Sequence, residues 1–176
     1  LQPFISRSRQ LQRNVMQMLA LYRLPQAGSF SKEDAWPAST LRAAIDCVFQ
    51  LYPDRQIISV IDEDLQGYYC DSLVQLAITS LLHNSLQMGA TEVVISANET
   101  ADYLVIQVDD NGPGFDHRIL AGEIESLRPG GTGLGLNFSR MIAAHHTRGQ
   151  EPHIRKGALL LSNRPEGGAR VVLQLP

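Results

Sequence analysis

The segment Asp110-Asn111-Gly112-Pro113-Gly114, followed after a polar stretch by Gly130-Gly131-Thr132-Gly133-Leu134-Gly135-Leu136, constrains this chain more than any other feature. Ahead of the first segment, Tyr103 to Asp110 alternates as a strand. Leu104, Ile106, Val108 and Asp110 share one face, and Tyr103, Val105, Gln107 and Asp109 share the other. The first face is the more apolar, so it is the expected core side, with Asp110 pointing into it and Asp109 toward water. A buried carboxylate without a partner is costly or takes up a proton, so a backbone amide or a ligand donor is expected to meet it. Capping of the turn into Asn111-Gly112 is the plainer use of Asp110. The second glycine run opens an apolar-periodic helix carrying Leu136, Met141, Ile142 and Ala143. Free N–H groups at such a helix start, aided by the helix dipole, suit a phosphate, and Thr132 can add a hydroxyl. A plain linker is the ordinary use of a glycine run, and it is the weaker reading where a second glycine box precedes. The two boxes together describe the halves of a nucleotide pocket.

A helix is expected from about Ser72 to Met88, mostly apolar through Leu73, Leu76, Ala77, Leu81 and Leu82. Ser80, His83, Asn84 and Gln87 fall at the spacing that gathers them into one polar stripe. A solvated helix edge explains such a stripe alone, although Asn in mid-helix has a small cost that a site would justify. Apolar residues Leu11, Val15, Met18, Leu19 and Tyr22 recur at helical spacing before Leu24-Pro25, and read equally as a packing helix or a dimer stripe. Further along, Trp36-Pro37 leads to a helix over about 41–51, stopped by Pro53, and Gln56 to Ile61 is a strand. Glu92 to Ala97 pairs with Tyr103 to Asp110 around a polar turn. A short helix is expected over 115–120, and the polar stretch 121–129 suits a flap over a ligand. Ala158 to Asn163 and Ala169 to Leu175 close the chain as a hairpin. These elements make an α/β two-layer sandwich, a mixed and mostly antiparallel sheet with helices over one face.

Composition excludes several classes. The 15 Lys and Arg against 18 Asp and Glu give a net charge of -3, so no general attraction to nucleic acid is expected. Cys47 and Cys70 stand apart, outside any CxxC or Cys/His cluster, and read as buried reduced thiols. No run is long enough to span a membrane and none resembles a signal peptide. A start at Leu1 rather than Met reads as an excised piece of something longer.

From Asn84 on its helix, through Asp110-Asn111-Gly112-Pro113-Gly114 and Gly131-Thr132-Gly133-Leu134-Gly135-Leu136, to Ser162 and Gly167-Gly168-Ala169 in the last hairpin, the chain resembles the catalytic ATP-binding domain of bacterial sensor histidine kinases. That domain has the Bergerat-type ATP-binding fold shared with DNA gyrase, the ninety-kilodalton heat-shock chaperone and MutL. The resemblance runs from about residue 36 to the end, and residues 10–24 resemble the second helix of the dimerisation and phosphotransfer hairpin. It implies a division of the chain into residues 1–30, the end of that hairpin with its linker, and residues 31–176, the catalytic domain. It also implies ATP and Mg²⁺ as cofactors, with Asn84 the metal ligand and Asp110 the acceptor for the adenine amino group. Gly112 and Gly114 would turn beside the base, and Gly131, Thr132, Gly133, Leu134, Gly135 and Leu136 would form the phosphate loop and lid hinge. The reaction implied passes the γ-phosphate to a histidine of the hairpin and then to an aspartate of a response regulator receiver domain. A homodimer through the hairpin, a cytoplasmic location and membrane contact only through other regions of the parent protein follow from the same likeness.

Departures from the family pattern are equally specific. Ser80 stands where the family has Asn or His and hydrolytic relatives have a water-activating Glu, which turns the reading from hydrolysis toward transfer. Gln87 stands where a Lys or Arg is common, leaving Arg118, Arg128 or Arg140 to meet phosphate. No His precedes His83, so the phosphoacceptor is expected outside the chain. His83 is expected at the surface or behind Asn84, and His145-His146 in capping and packing at a helix end, which positive imidazoles would suit. Two other classes remain open, a degenerate module that serves in dimerisation and an anti-sigma-type serine kinase.

Overall fold

Alternation dominates the sheet strands, and the computed structural model, which describes residues 31–122 and 134–176, follows it closely. Among the described residues the elements run β1 (Glu33–Ala35), α1 (Pro37–Phe49), β2 (Gln56–Ile61), β3 (Gly67–Tyr69), α2 (Asp71–Gln87), β4 (Glu92–Glu99), β5 (Leu104–Asp110), α3 (His117–Leu120), α4 (Leu134–His145), β6 (Thr147–Arg148), β7 (Arg155–Lys156), β8 (Ala158–Asn163) and β9 (Ala169–Leu175). The main sheet has five strands in the order β2-β4-β5-β9-β8, with β2 parallel to β4 and every other pair antiparallel. Strands β5 and β9 bury every second residue. Their buried face carries Leu104, Ile106, Val108, Val171, Leu173 and Leu175, which join Val93 and Ile95 of β4 against the helices. Each such side chain contributes about 1.5 to 3 kcal/mol by leaving water, so this single face dominates the stability of the sheet.

The expected sandwich of a mixed, mostly antiparallel sheet with helices over one face is therefore the fold observed. Helix α1 begins at Pro37, earlier than the expected start near 41, with Trp36 as its extended N-cap residue. A proline at the first helical position has its φ already set and lacks an N–H that would be orphaned there, so Trp36-Pro37 opens the helix rather than preceding it. Its buried face is Pro37, Thr40, Leu41, Ala44 and Val48, which leaves Cys47 on the far side. Cys47 is exposed and Cys70 partly exposed, so the expectation of buried thiols fails for both, although both are free.

Helix α2 is apolar nearly all round because it is packed on several sides. It lies between the sheet, α1 and α4, and buries Val74, Ala77, Ile78, Leu81, Leu82 and Leu86. Thr40 of α1 ties this layer together, hydrogen-bonded to the Tyr69 hydroxyl at 2.7 Å and to the Asp71 carboxylate at the start of α2. Burial pushes the Tyr69 hydroxyl up to about 12, so it remains a donor at any physiological pH. The helix expected over 10–24, and with it the whole hairpin segment expected over 1–30, lies outside the described residues. So do most of the flap expected over 121–129 and the residues Gly131, Thr132 and Gly133.

Candidate functional site

Asp110 is the last residue of β5 and falls on the strand's buried face, at 5% exposure. Its Oδ1 accepts the Gly112 N–H at 2.9 Å and the Ala169 N–H at 3.0 Å. Oδ2 has no hydrogen-bond partner among the described residues. A carboxylate so buried is stabilised by its two backbone donors, yet an acceptor atom remains that only a further N–H or O–H donor can fill. Turn capping, one of the two uses expected of Asp110, thus falls on Oδ1 alone. Asp109, one residue earlier, lies on the outer face and is held by Arg170 of β9 through contacts of 2.8 and 2.7 Å, so it is paired rather than simply hydrated.

The loop after Asp110 is fixed at both ends. Asn111 accepts the Thr91 and Glu92 N–H groups at 2.9 and 3.0 Å and donates to the Thr91 hydroxyl. Gly112 lies against Asp110 and against Ala90, just beyond the end of α2. Gly114 has φ +79, and a Cβ there would come within 2.8 Å of the Asn163 carbonyl oxygen, so the turn requires glycine twice over. Asn163 accepts the Phe115 N–H at 2.6 Å and donates to the Phe115 carbonyl at 2.9 Å, in the manner of a strand partner. Arg164 donates to the Asp110 carbonyl at 2.9 Å while Glu166 grips the rest of its guanidinium. Neither Asn163 nor Arg164 stands out in the sequence as belonging to the site. The Gly167-Gly168 pair that follows them is the nearest signal.

Along α2, Ser80 and Asn84 lie one turn apart on one face. Ser80 is so close to the start of α4 that a Cβ on Gly135 would lie 2.9 Å from its hydroxyl oxygen. Asn84, one turn after Ser80 on α2, is half-buried, and its side-chain amide makes no hydrogen bond among the described residues. The structure therefore brings Ser80 of α2 against Gly135 at the start of α4, and Gly112 of the Asp110 loop against Ala90 just past the end of α2. Leu136 packs against the main core. Helix α4 is fastened to α2 by Phe138 and Ile142 against Ala77, and by the buried Ser139 hydroxyl, 3.0 Å from the Gly135 carbonyl and 3.4 Å from that of Ala77.

The expected polar stripe is not one surface. His83 is buried, with its Nε2 at 3.2 Å from the Tyr52 hydroxyl and 3.3 Å from the Gln87 amide. Its ring meets that of Tyr52 edge-on, with centroids 5.5 Å apart, so it belongs to the packing behind Asn84 rather than to a solvated edge. Of the cations considered for phosphate, Arg118 is engaged by Asp116, whose carboxylate also caps α3 through the Arg118 N–H at 2.8 Å. Those bonds hold the Asp116 carboxyl below the usual range. Arg140 is exposed on α4, and Arg128 lies outside the described residues.

His145 bonds the Met141 carbonyl at 2.9 Å in the last turn of α4, as a cap should. His146 packs as expected but departs from the expected positive charge. It is 2% exposed, its Nδ1 donates to the Ile142 carbonyl at 2.7 Å, and its Nε2 accepts the Cys70 N–H at 3.1 Å. Accepting that N–H requires the neutral ring, and burial above all lowers its pKa from 6.5 to about 4. The depressed value fixes the sign of a pH effect. The unfolded chain takes up a proton below about 6.5 and the folded chain does not until about 4, so stability is full above the first value and falls toward the second. The expected loss is roughly 3 kcal/mol, read from chemical unfolding midpoints in steps from neutral pH downward. NMR of the ring should find it neutral throughout that window; an imidazole that charges with the ordinary pKa would sink the assignment.

Among the described residues no group of three or more His, Cys, Asp or Glu forms a metal cluster, and no helix is long and apolar enough to cross a membrane.

Residues 71–176 match the family model described as "Histidine kinase-, DNA gyrase B-, and HSP90-like ATPase". The sensor histidine kinase GtrS of Pseudomonas aeruginosa is 39% identical over 104 residues, which cover 56% of this chain and 20% of GtrS. The sensor-type histidine kinase PrrB of Mycobacterium tuberculosis is 30% identical over 168 residues, covering 89% of this chain and 35% of PrrB. The chain spans no more than about a third of the length of these curated relatives. The crystal structure of the ATP-binding domain of PrrB from Mycobacterium tuberculosis matches with a TM-score of 0.66 at 29% identity, over 84% of this chain and 98% of that one.

Proposed function

Since the chain belongs to the family of histidine kinase-, DNA gyrase B-, and HSP90-like ATPases, we propose that it is the catalytic ATP-binding region of a two-component sensor histidine kinase. One observation carries the adenine site. Asp110 is buried, its Oδ1 is filled by two backbone N–H groups, and its Oδ2 awaits a donor. The exocyclic amino group of adenine is such a donor, and a site built around a buried acceptor rejects bases that lack it. Gly112 and Gly114 bring backbone beside the base. The glycine run from Gly131 through Thr132, Gly133, Leu134 and Gly135 to Leu136 receives the phosphates at the start of α4.

Asn84 fits a magnesium ion. Its carbonyl is a hard oxygen ligand on a half-buried helix face, and its amide makes no hydrogen bond among the described residues. Magnesium is commonly held by one or two protein oxygens together with substrate phosphates and waters, so a carboxylate cluster is not required. When bound, the ion supplies charge neutralisation at the phosphate oxygens. This chain's own work is positioning: Asp110 sets the base, Asn84 the metal end, and the α4 start the phosphates. A serine hydroxyl cannot serve as the base that activates water, so Ser80 favours transfer over hydrolysis.

The acceptor histidine belongs to the dimerisation hairpin, of which residues 1–30 are the end. His83 and His146 suit no such role, being buried and hydrogen-bonded. From that histidine the phosphate passes to the receiver domain of a response regulator, in a cytoplasmic homodimer joined through the hairpin. Calorimetry tests the reading. Mg-ATP should bind, and Asn84→Ala should weaken it by about tenfold or more while leaving metal-free ATP nearly unaffected. Undetectable Mg-ATP binding would leave a dimerising interaction module, whereas equal losses with and without the metal would remove the basis for Asn84 as the magnesium ligand alone.

A further inference from the structure

The loop that carries the base contact is held largely by residues far away in the chain. The β8–β9 hairpin supplies the Ala169 N–H to the Asp110 carboxylate, Arg164 to the Asp110 carbonyl, and both polar groups of the Asn163 side chain to the Phe115 backbone. Asn163 and Arg164 thus secure the two ends of the segment 110–115, while Asn111, next to Asp110, ties it to Thr91 and to Glu92 at the start of β4. Arg164 is itself oriented, because Glu166 takes its Nε at 3.1 Å and Nη2 at 2.6 Å and leaves Nη1 for Asp110. A guanidinium gripped on one edge and donating from the other is a rigid strut. The Asn163 side chain does to Phe115 what a neighbouring strand would do, at a place where the sheet has ended.

We propose that Asn163 and Arg164 are positioning residues that set the pocket's preference for a base with an exocyclic amino group. The inference rests on the reading of Asp110 as the adenine acceptor. Discrimination between an amino group and a carbonyl oxygen on the same ring depends on where Oδ2 stands, within about half an ångström. Loosening either end of the loop lets Oδ2 move away from a carbonyl-bearing base, so the wrong base is tolerated. Neither residue touches the base, and each acts through the backbone it holds.

The test compares ATP with inosine triphosphate, which carries a carbonyl oxygen in place of the amino group, by calorimetry on the chain and its variants. The parent chain is expected to prefer ATP by about tenfold or more. Asn163→Ala and Arg164→Ala should each shrink that ratio by about threefold or more, with Arg164→Lys in between because it restores one donor without the fork. Asn163→Asp keeps the acceptor for the Phe115 N–H and loses the donor to its carbonyl, and gives an intermediate ratio even if the alanine variant does not fold. Variants that bind both nucleotides more weakly by the same factor, or that leave both unchanged, would overturn the positioning role and make these contacts structural alone. A parent chain without preference would instead overturn the reading of Asp110, a failure distinct from the first.

Discussion

Asp110→Asn is expected to weaken ATP binding by about a hundredfold or more while leaving the fold intact. The reason lies in how the carboxylate is shared. Oδ1 faces the Gly112 and Ala169 N–H groups, so an amide in its place must turn its oxygen toward these two donors. The new NH₂ then stands where Oδ2 was, donor against the donor of the adenine amino group. Flipping the amide offers no escape, since it would aim the NH₂ at two backbone N–H groups. A hydrogen bond to a charged acceptor is worth about 1.5 to 3 kcal/mol, and its replacement by a repulsive contact adds to the loss. The same geometry predicts a gain elsewhere. The variant should bind inosine triphosphate better than the parent chain does, because the new donor meets the carbonyl oxygen of that base. Calorimetry with both nucleotides reads the reversal, and unchanged ATP affinity would show that the base does not meet Asp110.

Much of this site was legible because the sequence signals are local. Two-residue alternation along β5 is enough to separate Asp110 from Asp109, since one pleated strand decides which of two adjacent carboxylates is buried. The five-stranded mixed sheet follows from similar alternation, bounded by glycine and polar turns. Helix α2 resisted the same treatment. Helical spacing gathers His83 with Asn84, but the depth to which a stripe is covered depends on what packs over it, and Tyr52 and Gln87 close over His83. His146 shows the same limit, because the Cys70 N–H that fixes its neutral form lies 76 residues away in the chain. Asn163 and Arg164 were missed for this reason too, as their partners are 48 and 54 positions distant. Cys47 was misplaced because an apolar neighbourhood in sequence says little about which side of α1 faces out.

Gly168→Ala is expected to be the most destabilising single change at the site, by about 3 to 5 kcal/mol. At φ +94 the backbone of Gly168 lies in a region that L side chains rarely adopt, and that alone accounts for some of the cost. The larger share is steric. An added Cβ would stand 1.8 Å from the Asp110 carbonyl oxygen and 2.8 Å from its carbon, both backbone atoms that no rotamer change can move. Relief requires the hairpin to swing away from β5, which breaks the Ala169 N–H bond to Oδ1 and the Arg164 bond to that same carbonyl. Asp110 would then be buried with fewer donors, which adds to the cost. Thermal and urea unfolding of Gly168→Ala should therefore show this large loss. Gly167→Ala is the matched comparison. Its φ of +96 is equally unfavourable, but a Cβ there meets nothing within 4 Å. It should incur only the backbone strain, about 1 to 2 kcal/mol, and keep ATP binding. Equal losses in the two variants would mean that strain alone governs this turn and that close approach to Asp110 does not.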